Sequence, residues 1–186
     1  MAYWLFKSEP NVFSWEDLAA KGKAGEEWTG VRNYQARNNM RAMKLGEKGF
    51  LYVEVDVGGR RVPIVNLHLH YRSKEHRFVQ TDRLLAWMRD KQGHHRGRWA
   101  VPPIVCGDLN NPGHRSDATA ALLSHLSDYC DYTLQPTSGR TFPSPLPSRL
   151  LDFVFMPEGC DGTRSEIVRS FLSDHRPVVV DFGLKG

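Results

Sequence analysis

Four short apolar runs in this chain carry Asp, Asn or His at or beside their ends. They are Val65-Asn66-Leu67-His68-Leu69, Ile104-Val105-Cys106-Gly107-Asp108, Leu151-Asp152-Phe153-Val154-Phe155, and Val178-Val179-Val180-Asp181-Phe182 directly behind Ser173-Asp174-His175-Arg176-Pro177. Apolar, β-branched runs of this length bounded by Pro, Gly or Asp read as buried strands. Carboxylates and imidazoles at strand ends cost desolvation unless they are paired. A pocket on which several strand ends converge supplies that pairing, at the mouth of a sheet where loops carry chemistry. A single Asp-His pair would mean no more than a loop-side hydrogen bond. Four such ends point to one polar site where the strands finish, and with the helical stretches between them fit an α/β fold.

The remaining elements fill in around those strands. Phe50 to Val57 and Arg61 to Leu69 are strand-like and separated by Gly58-Gly59, a pair suited to a tight hairpin turn. Ser73 caps a long helix running to about Asp90, with Phe78, Leu84, Leu85 and Met88 on one side. The run from Gly93 to Arg98 breaks that helix; its adjacent histidines, His94 and His95, diverge and read as a basic loop rather than a metal site. Val101 to Val105 is a strand entering Asp108, and Ser116 to Leu126 is a helix with Ala120, Leu123 and Leu126 inward. Gln135 to Leu150 reads as a surface loop, after which Leu151 to Phe155 and Val178 to Phe182 close the sheet. Nearer the start, Tyr3 to Lys7 is strand-like, Ser14 with Asp17 opens a short helix, and Tyr34 to Met43 is a second helical stretch.

Composition narrows the class. The chain has 186 residues, 40% hydrophobic and 25% charged, which is ordinary for a globular protein and leaves room for one substantial core or two small ones. No apolar run approaches membrane-spanning length, and the N-terminus lacks a basic leader, so a cytoplasmic location is expected. Three widely spaced cysteines, Cys106, Cys130 and Cys160, argue against a disulfide framework or a Cys-based zinc site, and Cys106 reads as core. The formal charge is +4, but ten Arg/Lys against three Asp/Glu fall between Arg60 and Arg98. That segment suits a polyanion, and equally a solvated helix face with a charged loop.

From about Leu51 to Phe182 the sequence resembles the C-terminal part of the endonuclease/exonuclease/phosphatase family. The resemblance runs in order through Asn66-Leu67-His68-Leu69 with Arg77 and Gln80, Gly107-Asp108-Leu109-Asn110, Thr141-Phe142-Pro143-Ser144, Leu151-Asp152-Phe153, and Ser173-Asp174-His175-Arg176-Pro177. It implies half of a layered α/β sandwich and Mg²⁺- or Mn²⁺-dependent hydrolysis of a phosphodiester or phosphate ester, nucleic acid included. On this resemblance Asp108 and Asn110 orient or activate water and contact the phosphate. His175 stands at the scissile phosphate with Asp152 as its carboxylate partner, His68 hydrogen-bonds the phosphate, and Asp174 contributes to the metal site. Each residue also has a bland reading: His68 as a satisfied strand-end histidine, Asp108 with Asn110 as a turn before Pro112, Arg77 and Gln80 as polar supports between helix and sheet, and His70 as structural. The family's N-terminal half supplies an early-strand Asn and a metal-binding Glu that have no counterpart motif here. Weaker metal binding, impaired turnover, or a partner chain completing the sandwich is therefore expected.

Residues 1 to about 50 resemble the opening of an EVE domain, a PUA-related β-barrel fold associated with modified nucleobases. The matching text is Tyr3-Trp4-Leu5-Phe6-Lys7-Ser8-Glu9-Pro10, Phe13-Ser14-Trp15 and the run from Glu27 to Arg41. This implies that Trp28 stacks on a base while Ser8 and Asn33 hydrogen-bond its edge; Trp4, Trp15 and Trp28 read equally well as packing residues. The expected organisation is an EVE-like fragment over 1–50 followed by an endonuclease/exonuclease/phosphatase-like portion over 51–186. The rival to hydrolysis is a non-catalytic module binding a modified base or nucleic acid.

Overall fold

The structure, a computed structural model, describes residues 3–7, 20, 48–94, 97–111, 118–128 and 130–186. The chain divides into two units, Met1–Val53 and Glu54–Gly186. In the first, strand β1 (Tyr3–Lys7) runs parallel to the opening of β2 (Lys48–Val57), with Tyr3 opposite Lys48 and Lys7 opposite Tyr52. The two helices expected near Ser14 and over Tyr34 to Met43 lie outside the described residues.

The second unit is built from β3 (Arg60–His68), α1 (Lys74–His94), β4 (Ile104–Asp108), α2 (Ala118–Ser127), β5 (Tyr132–Gln135), β6 (Asp152–Pro157), β7 (Cys160–Ile167) and β8 (Val178–Leu184). Gly58 and Gly59 both take positive φ, 61° and 80°, as a two-residue hairpin turn of the primed kind requires, and the Gly59 N–H donates to Asp56 Oδ1 at 2.8 Å. At the head of α1, Ser73 Oγ accepts the His76 N–H at 3.1 Å, the cap that the sequence predicts. Thr81, Leu84, Leu85 and Met88 are buried at helical spacing along α1. In α2 Leu126 is fully buried as expected, and Leu122 rather than Leu123 is its fully buried companion.

Strands β3, β4, β6 and β5 lie side by side in that order, with β3 and β4 parallel and the other pairs antiparallel. A parallel neighbour needs a long crossover, which α1 provides. The pleat then sorts the side chains. Val65, Val105 and Phe155 form one cross-strand row and are completely buried. Each large apolar side chain buried there contributes about 1.5–3 kcal/mol.

The other face carries a second cluster of Val62, Val101, Ile104 and Met156, against which Val180, Phe182 and Leu184 of β8 pack. This corrects one expectation. Val178 to Phe182 does not close the main sheet; β8 pairs antiparallel with β7 as a separate two-stranded layer laid across it. Strand β7 was not expected at all, because Cys-Asp-Gly-Thr-Arg-Ser-Glu-Ile has too few apolar side chains to signal a strand. Gln135 closes β5 instead of opening a loop, and β4 begins at Ile104 rather than Val101.

Candidate active site

Register assembles the site. His68 on β3 pairs with Asp108 on β4, and Asp108 with Asp152 on β6, so the three side chains share one row on one face of the sheet. One pleat back, the corresponding row is Asn66, Cys106 and Val154. His175, from the loop entering β8, closes over the row.

Its Nδ1 lies 2.8 Å from Asp152 Oδ2, and its Nε2 lies 3.7 Å from Asp108 Oδ2. His68 Nε2 is 3.4 Å from the same Asp108 oxygen. The side chains of Asp108, Asp152 and His175 are 14%, 21% and 24% exposed, whereas that of His68 is 62% exposed. The inner three are thus shielded enough for their charges to matter to one another, and His68 stands at the rim.

Asp108 is fixed by Asn110, whose backbone N–H donates to Oδ1 at 2.8 Å and whose side-chain amide donates to Oδ2 at 3.1 Å. The same amide reaches the Leu69 carbonyl at 2.9 Å, tying the end of β3 to the end of β4. Asn110 does this at φ 49°, a left-handed conformation that Asn tolerates better than most residues. Gly107 is required for a different reason. At φ 134°, a Cβ there would collide with the Leu67 carbonyl oxygen, so the close approach of β3 and β4 exists only because the side chain is absent.

The loop bearing His175 is held by the motif Thr141-Phe142-Pro143-Ser144. Ser144 N–H donates to the Asp174 carbonyl at 2.7 Å, and Arg176 Nε donates to the Ser144 carbonyl at 2.9 Å. Arg176 N–H reaches the Thr141 carbonyl at 2.8 Å, and Thr141 Oγ1 accepts the Leu151 N–H at 3.1 Å. The Phe142 ring lies 4.8 Å from the His175 ring, centre to centre. These residues position His175, a task that sequence reasoning left unassigned; burial of Thr141 and Ser144 inside a polar, proline-rich loop is the trace they leave.

Arg77 and Gln80 hold the backbone of His70. Arg77 Nη1 donates to its carbonyl at 3.0 Å, and Gln80 Oε1 accepts its N–H at 2.8 Å. His70 Nδ1 in turn accepts the backbone N–H of Ser73 at 3.0 Å. Asp174 is exposed, with Ser173 Oγ donating to it at 3.2 Å, and it lies outside the close set of Asp108, Asp152 and His175. Ser8, Trp28 and Asn33 lie outside the described residues.

Burial raises the Asp108 carboxyl above its ordinary value, and the charge of Asp152 adds to this; the Asn110 N–H and the two histidines offset part of it. For His175, burial alone would lower the value. The hydrogen bond and charge of Asp152, with the charges of Asp108 and Asp174, outweigh it and leave His175 raised. Cys106, on the same face, is half-buried rather than core, and burial pushes its thiol up to about 11. It is a protonated bystander, not a nucleophile.

Asp108, Asp152 and His175 each present a ligand atom, all within 4.8 Å of one another. Two carboxylates and an imidazole are a donor set that could hold a divalent cation.

The second unit has the fold of endonuclease/exonuclease/phosphatase proteins. Beta toxin from Staphylococcus aureus aligns with a TM-score of 0.54 at 16% identity, over 73% of this chain and 57% of that one. The human nocturnin catalytic domain aligns with a TM-score of 0.52 at 21% identity, over 73% of this chain and 52% of that one. At these identities the likeness is one of fold.

The N-terminus carries a match to the family model described as EVE domain, over residues 2–84, a span that reaches past residue 50 into β3 and α1. Thymocyte nuclear protein 1 from Homo sapiens is 53% identical over 60 residues. The chain spans 27% of that relative's length. Among the described residues, no helix is long and apolar enough to cross a membrane.

Proposed function

We propose that the chain hydrolyses phosphodiester or phosphate-ester bonds with the help of Mg²⁺ or Mn²⁺, nucleic acid being the leading substrate. The observation that carries this is the single row His68, Asp108, Asp152 with His175 bridging its two carboxylates. A cation held by Asp108 and Asp152, with exposed Asp174 as a further oxygen donor, would polarise the phosphoryl oxygens when bound.

The protein's own groups supply the proton chemistry. Asp152 takes the Nδ1–H of His175, which turns Nε2 toward Asp108 at 3.7 Å. A bare nitrogen lone pair facing a carboxylate is repulsive, so the two groups favour keeping one proton between them, in keeping with the upward shift of both. With that proton on His175, Asp108 is a carboxylate able to accept a proton from an attacking water. The imidazolium then faces the charge developing on the phosphate. His68 donates to a non-bridging oxygen from the rim. Both amide N–H groups of Asn110 go to Leu69 and Asp108, so its part is to aim Asp108 rather than to touch the phosphate.

Within this reading, residues 1–50 are an EVE-like segment, residues 51–186 the hydrolytic portion, and the cytoplasm the working compartment. A partner chain completing the sandwich would raise turnover. A second reading, a non-catalytic binder of modified bases through Trp28, Ser8 and Asn33, is favoured by the EVE match. The test is hydrolysis of bis(p-nitrophenyl) phosphate and of labelled DNA and RNA with Mg²⁺ or with chelator. Chelator-sensitive turnover supports hydrolysis. Its absence, together with tighter binding of modified than unmodified oligonucleotides that Trp28→Ala abolishes, supports the binder.

A further inference from the structure

The opposite end of β3 carries an open concavity of about 480 Å³, lined by Arg60, Arg61, Arg98 and Trp99 between Gly59 and Gly97. Arg61 and His68 lie seven positions apart on β3, about 23 Å along a strand, so no phosphate seated at the triad can also lie here. The concavity is assembled from two segments distant in sequence. Arg61 forms a parallel bridge with Trp99, and the Ala100 N–H donates to the Arg61 carbonyl at 2.8 Å. One carboxylate sets the geometry: Glu54 Oε2 takes Arg61 Nη1, and Oε1 takes the indole N–H of Trp99, each at 3.3 Å. Arg60 is anchored by Nη1 to the Lys185 carbonyl at 2.7 Å, which leaves other guanidinium donors for a ligand. Arg98 is exposed and makes no hydrogen bond or ion pair among the described residues.

Three guanidiniums against two carboxylates, Glu54 between Arg61 and Trp99 and Asp56 on the Gly59 N–H at the rim, leave a positive excess. A Cβ at Gly59 or Gly97 would meet nothing within 4 Å, so the backbone on both sides is open to close approach. Guanidinium forks match phosphate oxygens in plane and spacing, and the Trp99 indole places an aromatic side chain beside them.

We propose that this concavity binds a phosphate group carried on a nucleoside, either a free nucleotide or part of a nucleic-acid strand. The assignment stands whether or not the triad hydrolyses anything.

The experiment is calorimetric titration of the full chain, in chelator so that no substrate is consumed. The probes are AMP, adenosine, inorganic phosphate and a short single-stranded oligonucleotide with or without a 5′-phosphate. AMP is expected to bind more tightly than adenosine or phosphate. Arg98→Glu should weaken it by about tenfold or more, and Arg98→Ala should lower the salt slope of oligonucleotide binding by about 0.7. Arg98→Lys keeps the charge but not the fork and should recover only part of the affinity, and His175→Ala should change nothing. Arg98→Glu should also keep wild-type melting and wild-type hydrolysis of a small diester, which separates a lost contact from a lost fold. Oligonucleotide binding that depends on Arg98 and exceeds that of AMP makes a strand the source; the reverse order makes it a free nucleotide. Arg98→Glu binding every probe like wild type overturns the proposal. So does binding lost in His175→Ala instead, phosphate binding as tightly as AMP, or no binding of any probe.

Discussion

Replacing Asp152 by Asn removes the charge that orients His175 while changing its volume very little. The bond at stake is 2.8 Å long, between side chains that are 21% and 24% exposed, so solvent screens it only in part. A charge-assisted hydrogen bond of this kind is worth about 1.5–3 kcal/mol net. If it operates only while His175 is cationic in the transition state, its loss slows hydrolysis by about 10- to 150-fold at tenfold per 1.36 kcal/mol. The pH profile should change with it. His175 is held above its ordinary 6.5, so the alkaline limb of the wild-type profile lies above that value, and in Asp152→Asn it moves to lower pH. Stability follows the same sign. A histidine whose folded value is raised contributes stability below its unfolded value and loses it as pH rises through the folded one. The melting temperatures of wild type and variant should therefore differ most on the acid side of the limb and converge above it. The assay is steady-state hydrolysis of bis(p-nitrophenyl) phosphate across that pH range, with thermal melts alongside. An Asp152→Asn protein with the wild-type rate, limb and melting curve would refute the reasoning.

Asp108→Asn should abolish most activity, by about 10²–10⁴-fold for a lost general base, while raising the melting temperature at neutral pH. Burial holds the Asp108 carboxyl above 3.8, so its stability contribution is present below that value and lost as pH rises through the folded one. Asn110→Gly keeps the left-handed backbone and should retain the fold while losing activity, whereas Asn110→Ala should lose stability as well, by about 1–3 kcal/mol on urea denaturation. Gly107→Ala should cost about 3 kcal/mol or more in the same assay, because its Cβ meets the Leu67 carbonyl and β3 must part from β4.

Much of the second unit was legible because local chemistry and tertiary role coincide there. Gly58-Gly59 permits little other than a tight turn, Ser73 caps the helix it precedes, and the apolar run through Val105 is buried where its neighbours place it. What could not be read depends on pairing over long separations. Nothing around Asp108 or Asp152 states that residues more than forty positions apart share a register row; that emerges only once β6 pairs antiparallel with β4. The run Val178-Val179-Val180 looks the same whether it joins the main sheet or lies across it, and β7, its actual partner, is too polar to announce itself. Asp174 and His175 are adjacent in sequence, yet His175 turns onto the carboxylate row and Asp174 faces solvent, because Ser144 grips the backbone between them and the preceding loop. The clamp from Thr141 to Ser144 was visible as a motif, but its purpose was not, since most of its bonds run through backbone groups.

The claim beneath these predictions is that Asp108, Asp152 and His175 act as one unit on one phosphate. A double-mutant cycle measures this: hydrolysis of a small phosphodiester with Mg²⁺ by wild type, Asp108→Asn, His175→Ala and the double variant. The account predicts large losses in each single variant and little further loss in the double variant. Single variants with wild-type turnover, or losses that simply multiply, would contradict it.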